Sequence, residues 1–122
     1  MRLYTLFAAV LFSITAAYSQ TVFFVTQTSE FKAAVEAVEP GDSIVLANGT
    51  WTDAQFEFRA FGTAANPIVM TAQTPGEVIL NGNSVLEISG EYLVVSNLDF
   101  NGGATDGDAP ISFRTSSSEL AY

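Results

Sequence analysis

The chain has no cysteine, no histidine and only four lysines and arginines among its 122 residues. Without cysteine there are no disulfides and no thiolate metal sites, so stability must come from packing and backbone hydrogen bonds. Without histidine there is no Ser-His-Asp set, and no phosphate loop or redox pair occurs either. Cations are few against 13 aspartates and glutamates, giving a net charge of −9. Such a surface repels nucleic acid and anionic membranes. It also repels acidic polysaccharides unless basic residues or a metal lie elsewhere.

Long apolar runs are confined to the start. Met1-Arg2 is followed by a nearly unbroken apolar stretch from Leu3 to Ala17, shorter than the ~20 residues of a membrane span. Ala17-Tyr18-Ser19 places small residues before a cleavage point after Ser19. Residues 1–19 therefore read as an export signal and residues 20–122 as one domain, delivered to the periplasm or the exterior. No cysteine follows for lipid attachment. Loss of Arg2 takes the net charge to −10, with Lys32, Arg59 and Arg114 as the remaining cations. No later segment is suited to membrane insertion.

What is present is mostly β texture. Thr21 to Thr26 is an extended run. Phe31, Ala34, Val35 and Val38 then fall on one helical face. Thr28 or Ser29 is placed to cap this helix, and Glu39-Pro40-Gly41-Asp42 ends it. From Ser43 onward short apolar runs alternate with turns. Ile44-Val45-Leu46 is echoed by Ile68-Val69-Met70 and Leu93-Val94-Val95, at steps of 24 and 25 residues. Phe56-Glu57-Phe58 is echoed by Val78-Ile79-Leu80 and Leu98-Asp99-Phe100, at steps of 22 and 20. Leu86-Glu87-Ile88 is echoed by Ile111-Ser112-Phe113 at a step of 25.

Three interleaved series of similar period point to a solenoid with three strands per turn. The expected fold is all-β, the first coils of a right-handed parallel β-helix, with a short N-terminal α-helix capping the open coil. An antiparallel sandwich also has many short strands, but does not account for the aligned steps. Asn48-Gly49, Pro75-Gly76, Asn81-Gly82 and Gly102-Gly103 mark corners. Asn97 is expected to hydrogen-bond the backbone at a bend, and Trp51 to pack beside the Asn48-Gly49 turn. Asn48-Gly49-Thr50 also matches a glycosylation sequon, though it sits in a tight turn.

These residues resemble a known family. Pro40-Gly41-Asp42, Leu46-Ala47-Asn48-Gly49-Thr50-Trp51, Asn66-Pro67-Ile68, the run from Thr74 to Gly82 and the run from Gly90 to Val95 look like the opening of polysaccharide lyases of the chondroitinase B and alginate lyase family. The run from Ile111 to Ser116 leans toward the alginate lyase branch. The resemblance implies cleavage of acidic polysaccharide, alginate or chondroitin/dermatan sulfate, by β-elimination. It also implies a lysine base, a nearby arginine and a Ca2+ ion in the full-length parent. A uronate C5 proton becomes removable once its neighbouring carboxylate is neutralised.

Family members are several times longer, with their catalytic and calcium-binding residues on later coils. The chain accordingly reads as an N-terminal piece, with no catalytic residue and no metal site of its own. Lys32 reads as a solvated charge on the helix, and Arg59 as a surface residue after its strand. Arg114 is the candidate for touching a sugar carboxylate, against an ordinary surface ion pair. Asp99, Asp106 and Asp108 lack a recognised cation-loop spacing, and a solvated loop accounts for them. Two other readings use the same coils: a non-catalytic glycan-binding or adhesion module, and a remnant with an uncapped last coil.

Overall fold

A computed structural model describes residues 19–102 and 109–113. Ten strands and one helix occur among them: β1 (Val22–Val25), α1 (Thr28–Ala37), β2 (Ser43–Leu46), β3 (Gly49–Thr52), β4 (Gln55–Phe61), β5 (Ile68–Ala72), β6 (Val78–Asn81), β7 (Val85–Glu91), β8 (Leu93–Ser96), β9 (Asp99–Phe100) and β10 (Ile111–Ser112). They form three sheets, ordered β1-β2-β5-β8, β3-β6-β9 and β4-β7-β10. Every pairing is parallel. Three successive coils (β2-β3-β4, β5-β6-β7 and β8-β9-β10) each contribute one strand to each sheet and β1 extends the first sheet ahead of them, so this is the right-handed parallel β-helix that the repeats imply.

Alternation along the strands sets the core. In β4, Phe56, Phe58 and Ala60 point inward and are buried, while Gln55, Glu57, Arg59 and Phe61 face solvent. Ile44, Leu46, Ile68, Met70, Val78, Leu80 and Leu86 fill the interior of the coils. Burying one such side chain contributes roughly 1.5–3 kcal/mol.

The helix closes the first coil as expected. Phe31 and Ala34 are its buried residues, and the Phe31 ring meets Phe56 edge-on at 4.9 Å and Phe58 at 6.3 Å. Trp51 extends the cluster, 5.5 Å from Phe56, and its Nε1 donates to the Ala47 carbonyl at 3.0 Å. It packs rather than presenting a sugar platform.

The cap of this helix differs from the expectation. Gln27, not Thr28 or Ser29, is the N-cap residue, and its side chain makes no capping bond. Glu30 reaches back instead: its carboxylate accepts the Thr26 N–H and the Thr26 hydroxyl, each at 3.0 Å, and Gln27 Nε2 at 3.3 Å. This is akin to the carboxylate half of a capping box but takes the N–H of the residue before the N-cap, and it lies where the helix dipole also favours negative charge. After the helix, Asp42 is buried and accepts the N–H groups of Thr21 and Glu39 at 2.9 and 2.8 Å.

The strand series also need correction. Ile44 pairs with Met70, not Ile68, a slip of two that leaves the same side chains facing inward. Phe56 and Phe58 pair with Leu86 and Ile88, so they belong with β7 and β10. The first member of the Val78 and Asp99 series is β3, where Trp51 stands beside Leu80. The Leu86 and Ile111 pairing is as expected.

Corners rely on left-handed backbone. Gly90, at φ +122°, lies so close to the Ala60 carbonyl that a Cβ would overlap it. Asp53, Tyr92 and Asn97 hold positive φ without being glycine, and Asn and Asp tolerate this better than most. Asn97 bonds hydroxyls rather than backbone: its Nδ2 donates to Thr71 Oγ1 at 3.2 Å and Ser96 Oγ at 3.4 Å.

Candidate functional site

The cations among the described residues are Lys32 and Arg59. Both line one groove of about 710 Å³ between α1 and the outer face of β4 and β7, with Glu36, Glu57 and Glu87. Lys32 is exposed on the helix, as its position suggested. Arg59 is not after its strand but inside β4, exposed by the alternation that buries its neighbours. Its guanidinium carbon stands 6.0 Å from the centre of the Phe61 ring.

Acids outnumber cations in this groove. Glu57 and Glu87 are register partners on adjacent strands, at the ~4.8 Å strand spacing. That places two negative charges side by side on the outer face. The groove therefore lacks the single-sign positive field that concentrates a polyanion. Phe61 and Tyr92 are both about half exposed beyond its end. On the same sheet Ser89 is buried with its hydroxyl unbonded, as is Asn81 Oδ1 on β6; such orphans are uncommon in folded proteins.

The remaining candidates fall in two groups. Asp99 is exposed on β9, and among the described residues no three acidic side chains come together to hold a metal ion. Arg114, Asp106 and Asp108 lie outside the described residues. The sequon residue Asn48 is committed to the fold. Its Nδ2 donates to Thr74 Oγ1 and its Oδ1 accepts the Thr74 N–H, both at 3.0 Å. The Glu57–Glu87 pair is not legible in the sequence, because the spacing of the strand runs groups Glu57 with β6 and β9 rather than with β7.

A three-sheet parallel coil with a helical cap defines a parallel β-helical protein, and comparison with known proteins adds the family. The family model described as Chondroitinase B matches residues 25–122. The chain belongs to that family. The PL6 family alginate lyase AlyGC is 40% identical, with a TM-score of 0.78 over 83% of this chain. A PL6 family polysaccharide lyase from Pseudopedobacter saltans is 34% identical over 66% of the chain, with a TM-score of 0.63. A mannuronic acid specific family 6 lyase from human gut microbiota is 27% identical over 84%, with a TM-score of 0.70. The chain spans 14%, 19% and 24% of those proteins respectively. No curated protein matches it. No helix of the described residues is long and apolar enough to cross a membrane.

Proposed function

We propose that this chain supplies the helical cap and first coils of an exported polysaccharide lyase that cleaves alginate by β-elimination. The observation that carries the reading is the structural match to AlyGC, at 40% identity over 83% of the chain. That protein is an alginate lyase, as is a matched structure from Paenibacillus. Residues 1–19 serve as the export signal, cut after Ser19, and residues 20–122 form the domain, delivered to the periplasm or the exterior. Arg114 is the residue of this segment closest in chemistry to a uronate contact. Calcium, in this reading, belongs to later coils of the parent.

The division of labour follows from the inventory. Elimination needs a base poised near the working pH and a group that neutralises the carboxylate. The groove beside α1 offers mixed charges with an excess of acid and no assembled base. What these coils do supply is a closed end and three sheets already in register, on which further coils can be laid.

Two measurements test this. The 122-residue chain, incubated with alginate or with chondroitin sulfate, should generate no unsaturated uronate ends by ultraviolet absorbance. Robust turnover would overturn the assignment of the chemistry to other coils. Replacing the matching segment of AlyGC with residues 20–113 should leave a folded hybrid that still cleaves alginate. A hybrid that folds but loses all activity would show that these coils are not interchangeable. Export is checked separately, by N-terminal sequencing of the secreted product, which should begin at Gln20.

A further inference from the structure

Three Asn-Gly pairs occur among the described residues: Asn48-Gly49, Asn81-Gly82 and Asn101-Gly102. Glycine carries no Cβ to hinder approach of its own backbone nitrogen to the preceding side chain. In such a pair the glycine nitrogen, having lost its proton, can attack the asparagine Cγ. A N–Cγ bond forms, the Cγ–Nδ2 bond breaks, and ammonia leaves with one added proton. Water then opens the cyclic imide to an aspartate or isoaspartate. The sum is one water in, one ammonia out and one new carboxylate. The reaction needs a mobile side-chain amide and a glycine N–H that is not tied up.

The fold treats the three pairs differently. Asn48 is clamped at both ends of its amide by Thr74, and the Gly49 N–H donates to the Glu77 carbonyl at 2.8 Å. Asn81 is half-buried, with Oδ1 shut away from solvent. Asn101 and Gly102 are exposed. Among the described residues the Asn101 side chain and the Gly102 N–H make no hydrogen bond, although the Asn101 backbone is held by its N–H to the Leu80 carbonyl at 2.8 Å.

We propose that Asn101-Gly102 is a self-modification site, at which deamidation by water converts this coil corner to an acidic one ahead of the other two pairs. The change has a structural consequence. Asn101 lies one residue beyond the Leu80–Phe100 pairing, in line with Asn81. A carboxylate there adds a charged, acceptor-only group at the register position of Asn81, and such a group has no proton to offer the unpaired Asn81 Oδ1.

The folded chain, aged at mildly alkaline pH in heavy-oxygen water and mapped by peptide mass spectrometry, provides the test. Heavy oxygen should enter at position 101 several-fold faster than at 48 or 81. Asn101→Gln should remove the main acidic species seen by ion exchange. Thr74→Val, which releases one end of the Asn48 amide, should speed reaction at 48 several-fold and leave 101 as it was. In denaturant the three rates should converge, because each asparagine precedes a glycine. Equal rates in the folded chain, or a ranking that survives denaturant, would overturn the proposal.

Discussion

The first and third coils are buried to different degrees. At the first coil α1 lies across the opening, and Phe31 and Phe56 are each 1% exposed. In the third coil the inward residues Leu93, Val95 and Phe100 are only partly buried, and β9 and β10 have two residues each. Tyr92 and Val94 on the same coil are exposed. The inward alternation is the same in both places. Full burial therefore goes with a covering layer, which the helix supplies at the first coil. In a solenoid each unit's stability is largely set by its neighbours.

The most severe way to break that comparison is to separate the coils at a corner they share. Gly90→Ala should cost more than any single truncation in the core. It strains a backbone at φ +122° and drives a Cβ against the Ala60 carbonyl, and neither coil can move without losing the β4–β7 register. The expected outcome is loss of a cooperative urea transition by circular dichroism. A variant that unfolds like the unsubstituted chain would mean that the corner has room for a Cβ.

A matched pair of truncations measures the asymmetry itself. Leu46 is fully buried in β2, and Leu93 is partly buried in β8 of the same sheet. Leu46→Ala should lower stability by about 2–5 kcal/mol, the usual cost of a cavity in a packed core. Leu93→Ala should cost about 1–2 kcal/mol, because its side chain is incompletely removed from water. Equal losses in denaturant melts would contradict the difference between the coils.

The same comparison shows what the sequence discloses. Period and fold class were readable because three strand runs recur in order. Register was less so, since the connections vary from coil to coil. Residues 62–67 link β4 to β5, whereas Tyr92 alone links β7 to β8. Residues 73–77 join β5 to β6, where the first coil uses only Ala47 and Asn48. These insertions shift the spacing, and a slip of two residues leaves the inward pattern unchanged, so alternation does not report it. β3 was hidden because Gly49 and Thr50 read as a turn and Trp51 as its packing neighbour. Of the site, the position of Lys32 was legible, but the Glu57–Glu87 pair required the register.

Asn97 offers a smaller effect on the third coil. Its φ of +61° and its two side-chain bonds are separable by substitution. Asn97→Ala should cost about 1–2 kcal/mol through left-handed backbone strain together with the lost bonds. Asn97→Gly, which relieves the backbone, should cost less. If both fall equally in a urea melt, the hydroxyl contacts rather than the backbone fix this corner.

The smallest effect belongs to the cap, and pH reveals it. Hydrogen bonding from the Thr26 N–H, and then from its hydroxyl, holds the Glu30 carboxyl below the ordinary glutamate range. A carboxyl whose folded pKa is depressed contributes its stabilisation above the unfolded value and loses it as pH falls through the folded one. Glu30 is only partly covered at the surface, so water and salt screen the contribution and the change is slight. Glu30→Gln should therefore lower the urea midpoint a little at neutral pH and leave it unchanged once Glu30 in the parent chain is protonated. Measuring both chains from neutrality down through the acidic limb separates this from a packing effect, which would shift the midpoint by the same amount at every pH. A parallel shift would mean that α1 closes the first coil through Phe31 and its aromatic neighbours alone.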